Sequence, residues 1–110
     1  MSDYAELDWK DVSWPGIRLA FLESLTDGSA RVLIEMAPHS SYPAHRHNGE
    51  EQVFVIRGSY RDAAAEYGAG SFRRFPSGSA HTPIAGPEGA LLLACAEQGI
   101  EILEPPSAGR

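Results

Sequence analysis

The chain of 110 residues contains one cysteine, Cys95. That excludes a disulfide within the chain and any zinc site built from several thiolates of one chain. Cys95 lies in the apolar run ALLLACA, where a buried, inert thiol is expected rather than a nucleophile. Positive charge is also scarce. Nine basic against fifteen acidic residues give a formal charge of -6, without the field that would neutralise a phosphate backbone, so no nucleic-acid partner is expected. No run approaches the roughly 18 apolar residues of a membrane span, and the opening MSDYAELDWK has no apolar core for a signal peptide. The expectation is a soluble, cytoplasmic protein with no membrane partner. No window holds an apolar period of about 3.6 residues for three turns, and no internal repeat or low-complexity stretch is present.

Short β-rich runs between turn residues are what the sequence does contain, with eleven glycines and eight prolines spread throughout. Residues 17–25 (IRLAFLESL) and 30–36 (ARVLIEM) flank the polar turn Thr26-Asp27-Gly28-Ser29 and are expected to form a hairpin. Further strands are expected at 51–57, 59–63, 71–75, 80–84 and 90–96. Seven short strands in one small domain predict an all-β sandwich or barrel. On this reading residues 1–16 form an N-terminal arm, 17–104 the barrel and 105–110 a tail. Trp9 and Trp14 are large enough that the arm is expected to pack on a barrel mouth or on a partner subunit.

The stretch PAHRHNGEE, residues 43–51, holds the candidate site. In extended chain, residues two apart share a face, so His45 and His47 project together while Arg46 points away. Glu51 keeps that parity if the Asn48-Gly49-Glu50 turn does not shift register, and Val53 and Val55 continue the same face into an apolar interior. Histidines and a carboxylate in a partly dry pocket are costly to leave unpaired, and a divalent cation satisfies them. His81, thirty residues after Glu51 and beside a Pro-x-Gly turn, joins the cluster only if the fold brings two distant strands together. An HxH pair alone is equally compatible with a polar loop; its combination with a same-face glutamate and a turn-held histidine raises the metal reading. His39, in the turn Pro38-His39-Ser40, is read as a turn residue. Of Arg73 and Arg74, parity lets only one face inward, and neither is taken as a site residue, nor are Arg57 and Arg61. Tyr42, Phe54 and Phe72 are expected to pack in the core.

Residues 39–58, HSSYPAHRHNGEEQVFVIRG, resemble the first motif of the cupin superfamily, G(X)5HXH(X)3-4E(X)6G, except that His39 stands at the opening glycine. Residues 70–85, GSFRRFPSGSAHTPIA, resemble the second, G(X)5PXG(X)2H(X)3N, with Ala85 in place of the asparagine. The resemblance implies a single-domain cupin, a double-stranded β-helix or jelly-roll barrel. It also implies one metal ion per chain, held by His45, His47, Glu51 and His81, with iron(II) or zinc expected and manganese or nickel fitting the same residues. Within cupins the match is most similar to the ChrR-like group, which includes metal-binding sensor domains of anti-sigma factors and resembles in layout the dioxygenases that cleave acetylacetone. The leading expectation is a mononuclear non-haem dioxygenase acting on a small carbonyl or aromatic substrate, with Glu51 as fourth ligand or catalytic base. The alternative is a non-catalytic zinc-binding sensor or small-ligand-binding domain. Isomerase or epimerase chemistry, known among cupins, has no separate support in the residues. A homodimer is expected from the resemblance and from the sheet edges that a small barrel leaves open.

Overall fold

The computed structural model describes residues 4–103. After a 3-10 turn at Tyr4–Glu6 come ten strands: β1 (Lys10–Asp11), β2 (Ile17–Ser24), β3 (Ala30–Met36), β4 (His45–His47), β5 (Glu51–Arg61), β6 (Glu66–Gly68), β7 (Phe72–Phe75), β8 (Ala80–His81), β9 (Ile84–Ala96) and β10 (Ile100–Ile102). No α-helix occurs among the described residues, as the strand-and-turn pattern predicts. The longer antiparallel sheet has the order β1-β2-β3-β9-β5-β6, and β7 pairs with β5 as well. β9 occupies one edge of β5, so β7 along residues 51–54 and β6 along 59–61 share the other in succession. The shorter sheet has the order β10-β4-β8.

The predicted hairpin is present: β2 and β3 pair from Ile17↔Met36 to Ser24↔Ala30. Its turn is held locally, with Asp27 Oδ1 accepting from the Ser29 N–H at 2.9 Å and the Leu25 N–H donating to the Ser29 carbonyl at 2.8 Å. Alternation then builds the core. Leu19, Ile34, Leu92 and Val55 lie side by side across four strands, and Val32, Ala94 and Val53 form the adjacent row. All seven are at most 9% exposed, and burying each large aliphatic side chain contributes about 1.5–3 kcal/mol.

Several boundaries differ from the sequence reading. Residues 51–57 and 59–63 are predicted as separate strands, yet β5 runs through Gly58 and absorbs two register shifts, between Val55 and Arg57 and between Gly58 and Tyr60. Gly58 permits this because its φ is +76° and a Cβ there would lie 2.1 Å from the Gly89 carbonyl oxygen, so the two backbones meet where a side chain would stand. The predicted strand at 80–84 ends at His81. Pro83 has no N–H to continue a ladder, its carbonyl accepts from Tyr42 N at 2.9 Å, and the chain re-enters the other sheet as β9 at Ile84. β6 and β10 have three residues each, too few for alternation to reveal.

Side chains also depart from expectation. Tyr42 is buried, but Phe54 and Phe72 are 40% and 54% exposed: they pair across β5 and β7 on the face opposite Val53 and Val55. Cys95 is half-buried rather than buried, because it faces outward while Ala94 faces the core. Trp14 packs within the chain, 5.2 Å from the Tyr42 ring centre, and the Arg18 guanidinium lies over Trp9 at 5.0 Å. The expected tail, residues 105–110, lies outside the described residues.

Candidate metal centre

β4 is a three-residue strand whose alternation does what the sequence suggests: His45 and His47 are 3% and 1% exposed, and Arg46 points out toward Glu101 at 3.8 Å. On one edge β4 pairs with β8, placing His45 directly opposite His81. The two distant motifs therefore meet as neighbouring strands. After His47 the chain turns through Asn48-Gly49-Glu50 into the other sheet, where Glu51 opens β5 with its side chain inward and 7% of the residue exposed. The parity from His47 to Glu51 survives the change of sheet. One donor atom each from His45, His47, Glu51 and His81 all lie within 4.8 Å of one another.

The far nitrogen of each imidazole determines what the near one offers. His45 Nδ1 lies 2.9 Å from the Pro43 carbonyl oxygen, which can only accept. His81 Nδ1 lies 2.9 Å from Asp62 Oδ2, again an acceptor. His47 Nδ1 lies 2.9 Å from Ser79 Oγ; that hydroxyl donates to the Pro76 carbonyl at 2.6 Å and so accepts from the imidazole. Each ring therefore carries its proton on Nδ1 and directs an Nε2 lone pair inward. The inward atoms crowd together: His45 Nε2 and His81 Nε2 are 3.2 Å apart, and His47 Nε2 is 2.7 Å from Glu51 Oε1. Despite that closeness, His47 Nε2 has no hydrogen-bond partner of acceptable geometry and is one of two such buried side-chain atoms among the described residues, with the Tyr60 hydroxyl. Three lone pairs and a carboxylate converging without a proton between them repel one another. A divalent cation removes that conflict, so these residues fit the metal that the cupin resemblance implies.

Burial lowers two of the cluster's histidines. It pushes His45 down to about 4, against the Pro43 carbonyl, with the neighbouring His81 adding to the depression. His81 is also lowered by burial, against the bond to Asp62. Burial alone would raise Asp62, but the hydrogen bonds from His81 and from the Ala64 and Ala65 N–H groups outweigh it and hold the carboxyl below its usual range. The sign of the resulting pH effect is fixed. His45 gains its proton near 6.5 when unfolded and near 4 when folded, so below 6.5 the unfolded state binds more protons. Metal-free protein should lose up to about 3 kcal/mol as pH falls from 6.5 to 4, levelling off below. Urea unfolding of dialysed apoprotein at several pH values measures this; a stability constant over that window would contradict it.

Other sequence candidates divide clearly. His39 is exposed and outside the cluster, with φ +63°, so the turn that a glycine opens in the motif survives with histidine in the left-handed region. Ala85, at the motif's asparagine, is a buried residue of β9 whose N–H donates to Ser40 O at 2.8 Å. Arg73 is the inward arginine, lying over Phe75 at 5.3 Å, whereas Arg74 turns out toward Glu50 at 3.7 Å. Sequence reasoning missed Asp62, Ser79 and Phe75. Asp62 carries a turn signature, its Oδ1 accepting from the Ala64 and Ala65 N–H groups, but nothing local announces its reach to His81. Phe75 stacks on His47 at 5.2 Å and contacts His81 at 4.4 Å.

The space beside the cluster is small. A cavity of about 30 Å³ is lined by His45, Glu51, His81, Tyr42, Tyr60 and apolar residues that include Val53 and Leu92. A groove of about 650 Å³ lies elsewhere, between Trp14 and the outer sheet face, and reaches none of the four converging residues. Two of the charges that line it pair with each other, Arg18 Nε donating to Glu35 Oε1 at 2.7 Å.

Comparison with known proteins bears on family and fold. The ChrR cupin-like domain family matches residues 1–100. Anti-sigma-E factor ChrR of Cereibacter sphaeroides is 32% identical over 89 residues, covering 77% of this chain and 41% of ChrR, so the chain spans well under half of that relative. The crystal structure of Rhodobacter sphaeroides SigE in complex with the anti-sigma ChrR matches with a TM-score of 0.78 at 25% identity, over 86% of this chain and 51% of that one. An acetylacetone dioxygenase from Acinetobacter johnsonii matches with a TM-score of 0.79 at 16% identity, over 94% of this chain and 79% of that one, a likeness of fold. The chain belongs to the ChrR cupin-like domain family, with the cupin fold and a cluster of three histidines and a glutamate suited to a metal ion.

Proposed function

We propose that this domain is a metal-holding regulatory module, in which a divalent ion bound by His45, His47, Glu51 and His81 ties the two sheets together and a protein partner reads the state of the site. The observation that carries this reading is the size of the interior. About 30 Å³ beside the cluster is an order of magnitude below the roughly 300–1,000 Å³ of sites that enclose organic ligands. Three imidazole nitrogens and one carboxylate oxygen form a donor set that would suit zinc, which makes zinc the favoured metal. When bound, the ion supplies fixed positive charge and Lewis acidity. The chain supplies the lone pairs, the acceptors that hold each imidazole proton on Nδ1, and an apolar surround that keeps bulk water out. A protein partner is supported by ChrR, named an anti-sigma factor and crystallised with SigE.

The second reading, a mononuclear dioxygenase, is favoured by the ligand set itself. His45, His47, Glu51 and His81 would equally hold iron(II), which would supply dioxygen chemistry toward a small chelating substrate, with Glu51 as fourth ligand or catalytic base. One experiment separates the two. Zinc should co-purify stoichiometrically, and protein reloaded with iron(II) under reducing conditions should consume no oxygen with a panel of β-diketones, hydroxyketones and catechols. Substrate-dependent oxygen uptake that is lost in Glu51→Gln would overturn the regulatory reading in favour of the enzyme.

A further inference from the structure

We infer that Asp62 is the positioning residue that makes His81 a metal ligand, by fixing its proton on Nδ1. The inference rests on the metal-binding reading above, but the tautomer it assigns can be tested without any metal. Asp62 lies outside both cupin motifs, on the last turn beyond β5, nineteen positions before His81. Its side chain is 3% exposed, and its two oxygens have different tasks. Oδ1 accepts from the Ala64 N–H at 2.9 Å, the Ala65 N–H at 3.2 Å and the Tyr67 hydroxyl at 3.5 Å. Oδ2 faces His81 Nδ1 at 2.9 Å. The turn thus clamps one oxygen and presents the other to the imidazole. Arg73 donates in turn to the Tyr67 hydroxyl and lies 5.4 Å over the Tyr67 ring, so a half-buried cation balances the carboxylate from its far side.

His81 is the cluster histidine oriented by a charged acceptor; His45 and His47 use a carbonyl and a hydroxyl. A carboxylate is the strongest of these acceptors and raises the electron density that Nε2 offers to a cation. The arrangement makes a conservative substitution informative. In Asp62→Asn the two backbone N–H groups keep the amide oxygen on their side, which turns the amide nitrogen, a donor, toward His81 Nδ1. The imidazole must then accept at Nδ1 and carry its proton on Nε2, directed into the metal site.

The test uses the full chain and two readouts. Zinc affinity is measured by competition with a chelating dye, and the His81 tautomer by nitrogen-15 NMR of metal-free protein above pH 7.5. Asp27→Asn, at an exposed turn where the carboxylate caps Ser29, controls for loss of a turn-capping charge. We expect Asp62→Asn to lose at least about 10–100-fold in zinc affinity and to move His81 to the Nε2–H form, with Asp27→Asn unchanged in both. An affinity within threefold of the parent, or a loss of affinity with His81 still protonated on Nδ1, overturns the inference. A tautomer switch in a protein whose parent binds no zinc would sink the metal-binding reading while sustaining the assignment of Asp62.

Discussion

Replacing His47 with alanine should abolish stoichiometric metal binding and lower the melting temperature by more than about 10 °C, the largest loss expected of any substitution in the cluster. Two effects add. A ligand that binds only the folded state stabilises it by mass action, about 4 kcal/mol at a thousand times its dissociation constant, and the variant forfeits that contribution. The imidazole is also 1% exposed and stacks on Phe75 at 5.2 Å, so its removal leaves a cavity. Comparison with chelator separates the two: stripping metal should lower the parent strongly and the variant hardly at all. His39→Ala, on an exposed turn, should stay within about 1 kcal/mol of the parent and keep the chelator response. Equal melting temperatures for His39→Ala and His47→Ala, with and without chelator, would remove His47 from the ligand set.

Gly58→Ala should cost about 3 kcal/mol or more, although the change is one methyl group outside the four converging residues. The backbone sits at φ +76°, a region that alanine occupies only with strain, and the new Cβ would be placed 2.1 Å from the Gly89 carbonyl oxygen and 2.8 Å from its carbon. Both obstacles are main-chain atoms of β9, so no rotamer change relieves them. Relief requires β5 and β9 to separate at the bend that carries Tyr60 inward. Because Glu51 and Asp62 lie on either side of that bend, the variant should bind metal more weakly as well as melt earlier. Calorimetry with and without added zinc checks both; a melting temperature within about 2 °C of the parent would show that β5 does not depend on this close approach.

The same glycine shows how much of the fold the sequence revealed. The Asp-Gly turn between two β-rich runs identified the hairpin, and two-residue alternation identified the inward set from His45 to Val55, because both are local properties; the core rows through Leu19, Ile34 and Leu92 depend on register and appear only in the assembled sheet. The sequence reading splits the strand at Gly58, although glycine within a strand often marks a bulge. Its actual role depends on Gly89, thirty-one positions away, and no local signal carries that. Phe54 and Phe72 were assigned to packing from residue type alone, whereas parity with Val53 already placed Phe54 on the outer face.

The four converging residues were legible because HxH, the following glutamate and the turn-held histidine each sit at characteristic spacings. Their supports were legible only in part. Ser79 falls inside the second motif but shows no role until it meets His47, and Asp62 reads as a turn residue until the pairing of β4 with β8 brings His81 beside it. Residue type and spacing thus reveal which atoms could bind a cation. The long-range hydrogen bonds that choose the tautomer appear only once the strands are assembled.

Elemental analysis of protein purified without added metal or chelator, run beside His47→Ala, tests the central claim most directly. The lone pairs of His45, His47 and His81 and the Glu51 carboxylate predict stoichiometric divalent metal in the parent, zinc foremost, and essentially none in the variant. A parent that carries no metal and takes up none on addition, or a variant that retains the full complement, would contradict it.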